Sequence, residues 1–108
     1  MTQPAPPRRG DVWLAQLDKM RPVIVLTRDP LGGLLSAVIA APVTSTVRGL
    51  STEVSVGPAD GVRRASVANL DNLQLVARAR LVRRVGRVRP STLAALCQAV
   101  SIAVGCSR

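Results

Sequence analysis

The chain has 108 residues, the length of one compact domain, and a formal net charge of +9 at pH 7. The excess of 15 Lys and Arg over six Asp and Glu favours a polyanionic partner such as nucleic acid, although a basic surface that only keeps the protein in solution is the alternative. The sequence has no histidine, one aromatic residue (Trp13) and no long apolar run, which argues against histidine catalysis, an aromatic stacking platform and a membrane span.

The N-terminal stretch, residues 1–9, carries three prolines and little to bury, which predicts a disordered Pro/Arg arm. It has no signal-peptide pattern, so we expect a cytoplasmic protein.

Residues 10–108 are predicted to form a single domain. Its first strand is "DVWLAQL" (11–17), where apolar residues alternate, with Trp13 assigned to the core. After a short turn, "RPVIVLTRD" (21–29) is predicted to be a central strand paired with the first, because it is rich in β-branched residues.

Further strands follow in chain order. A third strand is predicted in "LLSAVIAAPVTS" (34–45), whose polar end should emerge from the sheet, and an edge strand in "TEVSVG" (52–57). The segment 65–88 contains two or three strands, with Gly86 as a bulge position. The pattern leaves open which way Arg83 and Arg84 point. The arginines of this segment form an electrostatic rim, a surface for an acidic partner, or a solvated face.

The last segment, "PSTLAALCQAVSIAVG" (90–105), is predicted to be a helix capped by Ser91 and ended by Gly105. Its apolar face consists of Leu93, Leu96, Cys97, Val100 and Val104. The two cysteines, Cys97 and Cys106, are expected to be structural thiols. Six or seven short strands followed by one helix predict a mainly β (α+β) fold, a small antiparallel barrel with a C-terminal helix.

Five stretches, in this order and spacing, together resemble the MazF/PemK toxin family: "RRGDVW" (8–13), "RPVIVLTRD" (21–29), "APVTSTVRG" (41–49), "SVANLDNLQLV" (66–76) and "GRVRPSTLAAL" (86–96). The resemblance implies an SH3-like barrel that forms a homodimer and cleaves single-stranded RNA at short sequences. It also implies that no metal or other cofactor is needed, and that a cognate MazE-like antitoxin neutralises the toxin. Many members have a long loop between the first two strands, where this chain has only "DKM".

The same resemblance assigns the site residues. The catalytic arginine corresponds to Arg21 and the catalytic threonine to Thr44. The acidic and amide pair that helps bind RNA corresponds to Asp71 and Asn72, which are shorter than the Glu and Gln of many relatives. Thr46 and Arg48, in the same stretch as Thr44, are further candidates for RNA binding. For Arg48, a solvated side chain is the alternative.

The residue types suit this chemistry, because RNA supplies its own nucleophile in the 2′-OH. A guanidinium can stabilise the charge that develops on the phosphate, and a hydroxyl can orient that phosphate. The general base is Asp71 or solvent. Two other functions remain as alternatives: a non-catalytic toxin of the same fold that poisons DNA gyrase (CcdB type), and an RNA-binding module that does not cleave.

Overall fold

The computed structural model describes residues 6–29 and 31–105, and within them seven antiparallel strands form one bent sheet that packs against one α-helix. The predicted small antiparallel barrel-like fold with a C-terminal helix is confirmed. The strands are β1 (Asp11–Gln16), β2 (Met20–Val25), β3 (Ala37–Thr44), β4 (Glu53–Val56), β5 (Ser66–Asn69), β6 (Gln74–Ala77) and β7 (Leu81–Arg87). Helix α1 spans Pro90–Val104.

The sheet has the strand order β4-β5-β3-β2-β1-β7, and β6 pairs with β3 outside this path. As predicted, β1 and β2 form a hairpin, β2 is central and β4 is an edge strand. Strand β3 connects the two parts of the sheet, because its first half pairs with β6 and its last two residues pair with β5. The end of β3 therefore joins strands β4 and β5 to the rest of the sheet.

The core is built mainly from Val, Leu, Ile and Ala, as the composition predicts, and it lies on both faces of the sheet. Alternating residues of β1 and β2 separate the two faces: Val12 and Ile24 pack with helix α1, whereas Trp13 and Val23 pack on the other face. Trp13 is only 5% exposed, so its assignment to the core is confirmed.

Strand β7 carries two irregularities in its pairing with β1, and both Arg83 and Arg84 in it are exposed. The register with β1 skips Val85 between the Val12–Gly86 and Trp13–Arg84 pairs, and it shifts again between Leu14 and Ala15. These bulges change the alternation of side chains along β7. Gly86 is needed next to the first bulge because its backbone lies against that of Gly61, and a Cβ on Gly86 would lie 2.6 Å from the Gly61 Cα.

The start of helix α1 is held by a carboxylate from a distant turn. Asp60 is fully buried and accepts hydrogen bonds from the Arg89 backbone N–H (2.9 Å), the Arg89 guanidinium and the Thr92 hydroxyl (2.8 Å). Burial alone would raise the pKa of Asp60, but the hydrogen bonds from Arg89 and Thr92 outweigh burial and hold that pKa below its ordinary value. The predicted cap, Ser91, is exposed, and Arg89 occupies the N-cap position.

The predicted apolar face of the helix is partly wrong. Leu96 is buried, and Leu93 and Val100 pack against the same core, as predicted. Val104 is 55% exposed, and the other buried positions of the helix are Thr92 and Ala99. Gly105 ends the helix in the left-handed conformation, with a φ of 68° as predicted for a C-cap. None of the helices in the described part of the chain is long and apolar enough to cross a membrane.

The described end of the predicted arm lies against the domain. Pro7 is buried, the Arg9 backbone N–H donates to Asp29 (2.9 Å), and the Arg9 guanidinium contacts the half-buried Cys97 thiol. Contacts with the domain therefore extend to Pro7, three residues before Gly10, near which the sequence placed the start of the domain. The first five residues and Cys106 lie outside the described residues.

Candidate functional site

The site is built where the start of β2 meets the end of β3. Arg21 is the second residue of β2, and Thr44 is the last residue of β3. Continuing the β2–β3 register two residues past the Val23–Pro42 pair places Arg21 opposite Thr44. Opposed residues of antiparallel strands lie on the same face of a sheet, about 5 Å apart. The sheet therefore brings the two predicted catalytic residues together on one surface.

Two open grooves meet at this pair. The first, which we call the acid-amide groove, has a volume of about 720 Å³ and contains two carboxylates (Asp18, Asp71) and three amides (Asn69, Asn72, Gln74) among its described lining residues. The six predicted site residues all line it: Arg21, Thr44, Thr46, Arg48, Asp71 and Asn72. The sequence-based assignment thus selects residues that share one groove, although they come from three separate segments of the chain.

The hydroxyl of Thr44 is oriented by its own turn. The Thr46 backbone N–H donates to Thr44 Oγ1 at 3.1 Å. A hydroxyl that accepts a hydrogen bond in this way keeps its own hydrogen for a second partner. Thr44 can therefore donate to an oxygen placed in the groove, and the fixed loop at residues 44–46 determines the direction of that donation.

Arg48 lies in an extended loop that is held by one carboxylate. Glu53 accepts hydrogen bonds from the backbone N–H groups of Arg48, Gly49 and Leu50, the shortest at 2.8 Å from Gly49. Gly49 adopts a φ of 76°, which favours glycine. The guanidinium of Arg48 is thus presented from an anchored backbone at the edge of the acid-amide groove.

Asp71 is exposed, but its surroundings restrain it. Its carboxylate accepts a hydrogen bond from the Thr52 hydroxyl, and its backbone N–H donates to Asn69 Oδ1 at 3.0 Å. Thr52 uses one carboxylate oxygen of Asp71, namely Oδ2. The contact also fixes the direction of the other carboxylate oxygen, Oδ1, which can accept a hydrogen bond from a base or a ribose in the groove.

The guanidinium of Arg21 is paired with Asp18, a residue that the sequence analysis did not single out. Nε of Arg21 donates to Asp18 Oδ1 at 3.1 Å and Nη2 donates to Oδ2 at 3.2 Å. The hydrogen bond to Asp18, with the charge attraction, raises the pKa of Arg21 further above its ordinary value. The same hydrogen bond lowers the pKa of Asp18. Arg21 is therefore a permanently charged donor, and it cannot serve as a base.

The second groove, which we call the basic groove, has a volume of about 1020 Å³ and shares Arg21 and Thr44 with the acid-amide groove. It adds five cationic side chains to Arg21: Lys19, Arg63, Arg64, Arg83 and Arg84. None of the described residues that line it is acidic. Arg84 is neutralised in part, because its Nε donates to the buried Asp11 at 3.2 Å.

Sequence reasoning missed how this groove is assembled. Arg63 and Arg64 follow the turn at Asp60, and the close contact between Gly61 and Gly86 brings that turn against β7, which carries Arg83 and Arg84. The only signal in the sequence was the adjacency of arginines in each pair.

Within the described residues, no group of three or more His, Cys, Asp or Glu side chains is placed to hold a metal ion.

Comparison with solved structures gives the class of protein. The Mycobacterium tuberculosis toxin MazF-mt6 is similar over 88% of this chain and 96% of its own, with a TM-score of 0.84 and 41% identity. An endoribonuclease in complex with its cognate antitoxin from a mycobacterial species is similar over 94% of this chain and 98% of its own, with a TM-score of 0.86 and 27% identity. The first of these structures is a toxin and the second an endoribonuclease, and both have the fold of this chain.

Sequence comparison then gives the family. The model of the PemK-like, MazF-like toxin of type II toxin-antitoxin systems matches residues 8–104, and the chain belongs to this family. A curated relative, the probable endoribonuclease MazF5 of Mycobacterium tuberculosis, is 42% identical over 105 residues, which are 94% of this chain and 96% of the relative. The resemblance noted from the sequence motifs is confirmed.

Proposed function

We propose that this protein is an endoribonuclease toxin that cuts single-stranded RNA at short sequences without a metal ion and thereby stops translation and growth. The observation that carries the proposal is the shared position of Arg21 and Thr44 at the junction of the basic groove and the acid-amide groove. The family membership and the endoribonuclease relatives support the same activity.

The reaction uses the 2′-OH of the substrate as the nucleophile. The 2′-OH gives its proton to Asp71 or to solvent and attacks the adjacent phosphorus. The bond to the 5′-oxygen of the next nucleotide breaks and that oxygen takes up a proton, so the products carry a 2′,3′-cyclic phosphate and a 5′-OH. The protein has to hold the 2′-OH in line with the leaving oxygen and stabilise the extra negative charge of the transition state. Both tasks need fixed hydrogen-bond donors, and neither requires a metal ion.

Arg21 and Thr44 supply these donors. Arg21 is charged at every relevant pH and sits on a strand whose backbone is held by two neighbours, so its position costs little reorganisation during the reaction. Thr44 has one lone pair engaged by Thr46 and a hydrogen to donate to the phosphate. In this assignment Arg21 stabilises the developing charge and Thr44 orients the scissile phosphate.

The two grooves divide the remaining substrate between them. The basic groove suits the sugar-phosphate backbone on one side of the cut, because its cationic side chains attract phosphates without reading sequence. The acid-amide groove suits the bases on the other side, because carboxylates and amides pair with the edges of unstacked bases. Thr46, Arg48, Asp71 and Asn72 are its proposed RNA-binding residues.

The partners follow from the solved relatives. The antitoxin complex among them supports binding of a cognate MazE-like antitoxin by this chain, in competition with RNA. A homodimer is supported by exposed apolar side chains, among which Ile39 and Leu75 are cross-strand neighbours that are 46% and 72% exposed. We place the toxin in the cytoplasm, where its RNA substrates are.

The activity can be tested with purified protein, a long RNA and EDTA, beside Arg21→Ala and the matched control Arg28→Ala. Arg28 is exposed and lies outside both grooves. We expect cuts at one short recurring sequence with the native protein and with the control, and a rate about 10³-fold lower with Arg21→Ala.

Intact RNA with folded native protein that still arrests growth would overturn the proposal. Binding without cleavage would then indicate an RNA-binding module, whereas gyrase-dependent DNA breaks would indicate a CcdB-type poison. A cutting activity that EDTA removes, or that Arg21→Ala retains, would contradict the mechanism.

A further inference from the structure

The turn between β1 and β2 places a carboxylate directly beside Arg21. The turn is closed by the Leu17 backbone N–H, which donates to the Lys19 carbonyl at 3.1 Å. Asp18 stands between these two residues, three positions before Arg21. Its side chain is 70% exposed and that of Arg21 is 31% exposed, so the pair lies at the mouth of the acid-amide groove rather than in the core.

The contact uses only one edge of the guanidinium. An arginine offers five N–H groups, and Asp18 takes one from Nε and one from Nη2, with donor to acceptor distances of 3.1 and 3.2 Å. The other edge, formed by Nη1 and the second hydrogen of Nη2, is not used by Asp18. This edge has the fork geometry that binds two oxygens of a phosphate. Asp18 and a phosphate can therefore bind the same guanidinium together.

We propose that Asp18 is a positioning residue for RNA cleavage, which fixes the plane of the Arg21 guanidinium so that its free edge faces the scissile phosphate. The inference rests on the proposed function and adds a residue to it. A two-point contact defines the orientation of a planar group, whereas a single hydrogen bond leaves it free to rotate. An arginine on an exposed strand end would otherwise sample several rotamers.

This role predicts effects of opposite sign on binding and on chemistry. The Asp18 carboxylate repels the substrate phosphate, so removing its charge should strengthen RNA binding. The same change releases the guanidinium, so it should slow the cleavage step. A residue that serves only to stabilise the fold would weaken both, and a solvated charge without a role would strengthen binding but leave the cleavage rate unchanged.

The decisive comparison is between Asp18→Asn and a control, Asp29→Asn. The control removes the same charge at a position outside both grooves. Binding is measured with an RNA that carries a single 2′-deoxyribose at the cut position, and chemistry is measured as the single-turnover rate on the cleavable RNA. For Asp18→Asn we expect a Kd about 3-fold lower than for the native protein. We expect its rate to be about 10-fold lower. Asp29→Asn should change neither by more than about 2-fold.

A second measurement does not depend on activity. The ¹⁵N-resolved Nε–H signal of Arg21 should show restricted rotation and slow solvent exchange in the native protein, and both should be lost in Asp18→Asn. If the native protein cleaves and Asp18→Asn cleaves at the same rate, Asp18 is not a positioning residue. If the native protein does not cleave at all, the proposed function fails, and the Nε–H signal still decides whether Asp18 holds Arg21.

Discussion

The basic groove and the acid-amide groove share four lining residues, Arg21, Val43, Thr44 and Thr46, yet they differ in charge. The basic groove is lined by cations and by no acidic side chain among its described residues, and Arg84 is the one that is paired with a buried carboxylate, that of Asp11. In the acid-amide groove the polar side chains are tied to each other and to the backbone, as in the contacts of Asp71 with Thr52 and of Glu53 with the loop at 48–50. This difference fits our proposal that one surface attracts the RNA chain and the other recognises its sequence.

Removal of the Thr44 hydroxyl, which lies where the two grooves meet, should have a large effect on the cleavage rate. Thr44→Val keeps the β-branched shape but removes the hydroxyl that we assign to the scissile phosphate. We expect the single-turnover cleavage rate to fall about 10²-fold to 10³-fold while RNA affinity changes little. The control is Ser51→Ala, which removes an exposed hydroxyl outside both grooves. Equal rates for the two variants would remove Thr44 from the mechanism.

The basic groove depends on the buried carboxylate behind it. Asp60 starts the turn that carries Arg63 and Arg64, and it binds Arg89 and Thr92 at the start of α1. Asp60→Ala should lower the free energy of unfolding by about 2 kcal/mol, measured by urea denaturation at neutral pH.

This stabilisation should depend on pH in one direction. The folded-state pKa of Asp60 is lowered, so its contribution is fully present above the unfolded value of about 3.9 and is lost as the pH falls through the folded-state value. The stability difference between native protein and variant should therefore shrink only in acid. A difference that instead shrinks between pH 5 and 8 would contradict the role given to Asp60.

The cations of the basic groove should affect all RNA sequences alike. If Arg63 and Arg64 each neutralise one phosphate, replacing both by Ala should reduce the slope of log affinity against log salt by about 1.4. At about 0.1 M salt this corresponds to a loss of affinity of about 25-fold. The sequence at the cut site should not change.

The matched control for this variant is Arg8→Ala with Arg28→Ala, which removes the same charge outside both grooves. An altered cut sequence in the Arg63 and Arg64 variant would show that the two grooves do not divide the work as described.

The amides of the acid-amide groove should have the smallest effect on rate and the clearest effect on sequence. Asn72→Ala should lower discrimination at one base position by about 1 kcal/mol, or about 5-fold, and leave the salt dependence unchanged. Sequencing of the cleavage ends measures this directly. Gln98→Ala, which changes an exposed amide on α1, is the control. An unchanged cut sequence in the Asn72 variant would leave base recognition to other residues.

Much of this molecule was predictable from local pattern. The hairpin of β1 and β2, the edge position of β4, the burial of Trp13 and the Gly105 cap each depend on a short stretch of sequence. The shared groove of the six site residues agreed with the family motifs, since those motifs record residues that meet in space.

The contacts that the sequence could not predict join distant segments. Asp60, not Ser91, binds the start of α1, because a turn 30 residues earlier is folded against it. The bulges of β7 shift the direction of Arg83 and Arg84, and only the register with β1 reveals them. The Asp18 contact is local, but a salt bridge three residues apart at a strand end has no distinctive sequence signal.

The most direct test of the account is the chemistry of the cut itself. Native protein in EDTA should cleave an RNA that contains its recognition sequence and leave a 2′,3′-cyclic phosphate and a 5′-OH. An otherwise identical RNA with a single 2′-deoxyribose on the 5′ side of the scissile phosphate should bind with the same affinity and remain intact. Cleavage of the deoxy-substituted RNA at the same position, or ends that carry a 5′-phosphate, would contradict attack by the 2′-OH and with it the roles of Arg21 and Thr44.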